Sequence, residues 1–177
     1  SFLNMELLAI DPGPVESAFV RWTGDGSLLE FGKIPNKEML RLLNGCASYV
    51  VPVCEMIASY GMPVGAEVFE TCVWIGRFAQ AAQTKMHRIT RGKVKMHLCQ
   101  SMRAKDSNIR QAIIDRLGPP GTKKAPGTTY GISGDVWAAL AVALAFADGV
   151  RCPDFDDKET SAGINPQPTT EPSLFTL

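Results

Sequence analysis

Glu6-Leu7-Leu8-Ala9-Ile10-Asp11-Pro12-Gly13-Pro14 is an apolar run that ends in a carboxylate and then breaks sharply. Four continuous apolar residues, Leu7 to Ile10, have the pattern of a strand buried on both faces, and Pro-Gly-Pro stops that strand directly after the acid. Asp11 is thereby held at the carboxyl end of a central strand. A lone buried carboxylate is costly unless a cation or a donor compensates it, so the placement asks for a partner, and a divalent metal is one candidate. Taken alone, an Asx-type turn in which Asp11 binds its own loop backbone is the simpler account.

The chain around this stretch is that of an ordinary globule. It has 177 residues, 45% hydrophobic and 20% charged, enough for one sizeable core, and one domain is expected. The richest apolar run, Val136 to Ala147, is too short to span a bilayer, so a membrane protein is not indicated. Met5 looks like the natural start. Residues 1–4 are then an appendage, 5–150 the domain, and 151–177 an acidic, Pro-rich tail without period, expected to be poorly ordered.

The five cysteines are odd in number and never form a CxxC pair, which argues against a disulfide framework or a zinc ribbon and suits a reducing cytoplasm. His87 and His97, the only histidines, are not in metal-site spacing. The net charge is zero, yet eleven of the 18 basic residues lie between Lys85 and Lys124, against only Asp106 and Asp115. That concentration exceeds what solubility requires and suits a phosphate backbone.

Outward from the opening stretch, Glu16 to Thr23 reads as a second strand, Gly24-Asp25-Gly26 as a hairpin and Leu28 to Ile34 as a third strand. Asn36 is placed to cap a helix that runs to Leu43 and ends at Gly45. Tyr49 to Ile57 is a second apolar run ending near an acid, Glu55, although Pro52 suggests that the strand begins only there. Helical spacing marks Glu67 to Gln83, and Val94 to Cys99 reads as a fifth strand. Asp106 to Leu117 is a helix capped by Asp106 or Ser107. Gly118 to Gly134 is a loop, and Asp135 opens a helix apolar nearly all round.

This order predicts an α/β fold: a mixed five-stranded sheet, three strands antiparallel and then two parallel, flanked by helices. Sites in such sheets form outside the carboxyl ends of the parallel strands. Asp11, Glu55 and Asp135 can then converge. Clustered carboxylates without His or Cys favour a hard cation such as Mg²⁺ or Mn²⁺, and a pair of such ions can drive in-line phosphodiester hydrolysis. Beside the basic segment, that chemistry suggests a nuclease.

Leu8-Ala9-Ile10-Asp11-Pro12-Gly13 resembles the opening motif of RuvC-type Holliday junction resolvases of the RNase H-like superfamily. The likeness extends to Val53-Cys54-Glu55, to the helix Glu67 to Gln83 and to Asp135 with Ala139-Leu-Ala-Val-Ala143, and the compact size suits a phage-type member. The resemblance implies an RNase H-like fold and Mg²⁺-dependent nicking of branched DNA by a cytoplasmic homodimer paired through helix 67–83. It implies that Asp11 bridges two metals, that Glu55 holds one and that Asp135 completes the site. Glu67 is a rival for the Glu55 role, because Gly65-Ala66-Glu67 resembles the same strand-end motif. Arg103 and Lys105 resemble the family's phosphate contacts, and Lys123 and Lys124 are further candidates for DNA binding.

Two positions depart from the pattern. Ala138 stands where the family has another acid, and Ala58 stands where it has a junction-wedging aromatic, for which Tyr60 is the substitute. The missing acid makes a branched-DNA-binding module with little catalysis the alternative to a nuclease. The opening motif also resembles the phosphate turn of actin-like ATPases, but the chain is about half the length two such domains need.

Overall fold

A computed structural model describes residues 5–156. A five-stranded sheet has the order β3-β2-β1-β4-β5, with β1 at Glu6–Asp11, β2 at Glu16–Thr23, β3 at Leu28–Pro35, β4 at Val50–Met56 and β5 at His87–Thr90. The first three strands are antiparallel, and β4 and β5 add in parallel to β1. The helices are α1 (Asn36–Asn44), α2 (Ala66–Ala81), α3 (Arg91–Cys99), α4 (Asp106–Leu117), α5 (Val136–Ala147) and the short α6 (Pro153–Asp156).

Strand alternation divides the core in two. Leu7 and Ala9 of β1, Val53 of β4 and Ile89 of β5 face one layer with α5 at its centre. Leu8, Ile10 and Cys54 face the other layer, beneath α1 and α2. Successive side chains in a strand point to opposite faces, so Asp11, two residues beyond Ala9, shares the α5 face, and so does Glu55, two beyond Val53. The parallel register sets Ile10 opposite Cys54. The next residue on each strand is therefore the acid, and Asp11 and Glu55 are cross-strand neighbours.

Helix α5 explains why the sheet can carry this arrangement. Ten of its residues are buried, and it packs against β1, β2, β3 and β4. A helix apolar nearly all round belongs inside a core.

Four expectations are corrected by the structure. Residues 94–99 are not a strand: β5 lies earlier, and Val94 to Cys99 belongs to α3. Val94, Met96 and Leu98 alternate with His and Lys as a strand would, but Met96 is exposed while Val94 is buried, which is the helical outcome. Pro52 lies inside β4 and does not start it. Pairing with β5 begins only at Val53, so one flank of the strand is open at the proline and a missing N–H is tolerated there. Asn36 does not cap α1, whose N-cap is Pro35. Asp106 and Ser107 likewise leave the capping of α4 to Asn108, whose Oδ1 accepts the Lys105 N–H at 2.8 Å.

Cys152 is buried in the α5 core, with Phe155 packed against it, and the Phe155 carbonyl accepts a hydrogen bond from Arg88 at 2.6 Å. Residues 151–156 therefore join the domain, whereas 1–4 and the rest of the tail lie outside the described residues. All five cysteines are free thiols. His87 stacks on Phe146 with ring centroids 4.9 Å apart, and His97 Nε2 meets Asp148 at 2.7 Å.

Asn36 serves the turn after Asp11. Ser17 Oγ donates to Asn36 Oδ1 at 2.6 Å, Asn36 Nδ2 donates to the Gly13 carbonyl at 2.9 Å, and the Gly13 N–H donates to Ser17 Oγ at 3.2 Å. The ring closes on itself. Gly13 is required here, because a Cβ would sit 2.4 Å from the Glu16 carbonyl oxygen. Ser17 and Asn36 are both buried, so Ser17→Ala leaves Asn36 short of a partner and is expected to cost about 1–3 kcal/mol. Urea unfolding measures that loss, and faster amide exchange at Gly13 would localise it to the turn.

Candidate active site

Asp11 stands at the end of β1 on the α5 face, with Glu55 beside it on β4 and Asp135 at the N-cap of α5. Burial pushes the Asp11 carboxyl up to about 7, and the charges of Glu55 and Asp135 push in the same direction. Burial also raises Glu55, against the pull of Arg91. The three acids named from the sequence are thus brought into one electrostatic neighbourhood.

Two cations accompany them. Lys33 Nζ donates to Asp135 Oδ2 at 2.7 Å, while Arg91 Nη1 holds Glu55 Oε1 at 3.2 Å and Arg91 Nη2 pairs with Asp106. Strand register explains both bases. Asp11 pairs with Ala18 and Ala18 with Lys33, so Lys33 lies in the same row of the sheet, with only a methyl side chain between it and Asp11. Arg91 follows Thr90 at the end of β5, two residues beyond the inward-facing Ile89. Sequence reading passed over Lys33, Arg91 and Asp106. The alternation Phe31-Gly32-Lys33 was the available signal for the first, whereas the misplaced fifth strand hid the other two.

A cavity of about 70 Å³ is lined by Asp11, Arg91, Asp106, Asp135, Trp137 and Ala138, among others. It adjoins an open groove of about 680 Å³ between α4 and the start of α5, where Arg110 stacks over Trp137 at 5.1 Å. Asp135 occupies the N-cap position without making a side-chain cap bond. Its carboxylate is turned to Lys33.

Tyr60 shares a second recess with Glu55, Ala58 and Arg91. Its ring is 64% exposed, and its hydroxyl lies over Gly92, where a Cβ would approach it to 2.5 Å. Arg103 and Lys105 are exposed just before α4 and flank Asp106 in sequence. Lys123 and Lys124 form the tip of a tight turn closed by Thr122 N–H to Ala125 O at 3.0 Å and Ala125 N–H to Thr122 O at 3.1 Å. Glu67, the rival of Glu55, is exposed on the first turn of α2.

The anionic side chains that line the cavity, Asp11, Asp106 and Asp135, offer carboxylate oxygens, the donors a hard divalent cation prefers. In donor type the residues fit such an ion, and Asp11, raised first by burial and then by the charges of Glu55 and Asp135, is the group whose ionised form a bound cation would favour. Among the described residues no ready-made cluster of three ligating groups is formed. Glu55 and Asp135 are directed to Arg91 and Lys33 instead.

No protein-family model matches the chain, and no curated protein matches it significantly. Among solved structures, Thermus thermophilus RuvC superposes with a TM-score of 0.59, covering 81% of this chain and 93% of its own, at 19% identity. The fold is RNase H-like. T. thermophilus RuvC in complex with Holliday junction substrate superposes equally well, with a TM-score of 0.59 and 18% identity over the same shares. Among the described residues no helix of this RNase H-like chain is long and apolar enough to cross a membrane.

The folded Asp11 carboxyl keeps its proton to about pH 7, whereas an unfolded one releases it near 3.8. The folded state therefore binds more protons across that window, and stability falls as pH rises through it. Asp11→Asn removes this cost. Without divalent ions the variant is expected to be more stable than wild type at pH 8, by about 4 kcal/mol at most, with the difference vanishing near pH 4. Urea unfolding at the two pH values measures both limits.

Proposed function

We propose that this chain is a metal-dependent, structure-selective DNA endonuclease that resolves Holliday junctions or related branched DNA, a compact phage-type relative of RuvC. The carrying observation is the row of acids on an RNase H-like sheet: Asp11 buried beside Glu55, with Asp135 facing them from the start of the core helix. The basic segment that frames the row adds support. Lys95 acts on Glu55 electrostatically, and Arg103, Lys105, Lys123 and Lys124 are exposed for phosphate contact. RuvC of the same fold has been seen with a Holliday junction substrate.

In this reading Asp11, Glu55 and Asp135 would hold Mg²⁺, or Mn²⁺ in its place. Bound there, the ions supply an activated water and stabilise the leaving oxygen of the phosphodiester. The protein's own residues do the remaining work. Asp11 is fixed in direction by the strand and by the Gly13-Ser17-Asn36 ring behind it. Arg91 and Lys33 keep Glu55 and Asp135 at the cavity edge. Tyr60, exposed at the neighbouring recess, offers a ring for an unpaired base at the branch point.

A branched-DNA-binding module with little catalysis is the second reading. It is favoured by one observation, that Glu55 and Asp135 are each already paired with a base. The discriminating measurement is a cleavage panel of four-way junction, flap, fork, linear duplex and RNA-DNA hybrid, with and without Mg²⁺. Nicking of the junction by wild type, with Asp11→Asn abolishing it while junction binding persists, is the expected result. Binding without cleavage in Mg²⁺ or Mn²⁺ selects the second reading, and preference for the hybrid indicates a ribonuclease H.

The proposed homodimer uses α2. Its inward face is Thr71, Trp74, Ile75 and Phe78, whereas Phe69 and Val73 are 60% and 56% exposed on the opposite side, beside exposed Met62 and Val64. Exposed apolar residues at helical spacing suit a second copy. Val73→Glu is expected to give a folded monomer. Light scattering after size exclusion measures the mass, and a variant that stays dimeric moves the interface elsewhere.

A further inference from the structure

We infer that Asp106 is a further carboxylate of the metal-side cavity, kept in place by Arg91 until a cation takes it. The inference rests on the metal reading of Asp11, Glu55 and Asp135 and extends their set by a residue from another helix.

The cavity shows an uneven wall. On the α5 side Asp135 is followed one turn later by Ala138, which lines the space and offers no donor. Across the cavity stands Asp106, the first residue of α4. This aspartate is not needed by its own helix, since Asn108 makes the cap bond. Its side chain is 82% exposed and its ion-pair partner is Arg91. Few packing contacts hold it, so it can turn without disturbing the core.

Arg91 joins the pieces. One nitrogen of its guanidinium holds Glu55 and another holds Asp106, so a single positive charge spans two carboxylates from β4 and α4. Two acids sharing one cation at the edge of a cavity that also contains Asp11 and Asp135 leave the cavity net negative. A divalent ion entering there would find in Asp106 the carboxylate that Ala138 does not offer.

Mn²⁺ binding to the full chain without DNA, followed by electron paramagnetic resonance and calorimetry, tests this. Asp106→Asn is expected to weaken Mn²⁺ binding at least tenfold or to reduce the number of ions bound. Asp106→Glu, and Asp106→Asn combined with Ala138→Asp, are expected to restore it, because either returns an acid to the cavity. Loss without either rescue overturns the donor role and leaves Asp106 as a partner of Arg91 alone. If Asp106→Asn binds Mn²⁺ like wild type while Asp11→Asn does not, the inference fails and the metal reading stands. If wild type binds no Mn²⁺, or Asp11→Asn binds like wild type, both fail. Urea unfolding of each variant verifies that it is folded.

Discussion

Moving a carboxylate out of water costs free energy unless cations or donors replace its hydration, and Asp11 is where this chain meets that cost. The residue closes the most deeply buried strand, Leu7 to Ile10 being at most 1% exposed, and it has two more acids as neighbours. Much of the nearby chemistry answers this concentration of charge. Lys33 comes from the sheet row beyond Ala18, Arg91 comes from the end of β5, and each takes one of the flanking acids. Asp11 itself receives only their longer-range field. It is therefore the acid with the most to gain from a bound cation.

The strand order and the direction of each pairing were legible because they follow from local rules: apolar runs of strand length, a Gly-Asp-Gly hairpin, and helix stops at Gly45 and Gly118. The convergence of Asp11, Glu55 and Asp135 was legible for a related reason, since acids at strand ends and helix starts are placed by topology. Residues 94–99 misled because a short lysine-rich segment can satisfy a period of two and a period of 3.6 at once, and only tertiary packing decides. Lys33, Arg91 and Asp106 were out of reach for a different reason. Their importance lies in pairings across the sheet and between the end of β5 and α4; alternation in β3 hinted at the face of Lys33, but no spacing along the chain gives its partner or those of Arg91 and Asp106.

The likeness to RuvC lies in the backbone far more than in the side chains. At 19% identity over most of both chains, what is shared is the sheet and the helices packed on it. Such a division is expected when fold is carried by buried alternation and function by a few positions grafted onto it.

Helix α5 gives the cavity two mechanically unlike halves. On one side, Asp135 and Ala138 ride on a rod clamped by four strands, and no displacement of that rod is possible without opening the core. On the other side, Arg91 and Asp106 are the first residues of α3 and α4, each of which has only two buried residues. The first half is held by the core, and the second by far fewer buried side chains. If the chain works on a bent or branched polymer as proposed, compliance toward it would come from the α3 and α4 side, while Asp11 and Asp135 stay fixed to the sheet and to α5.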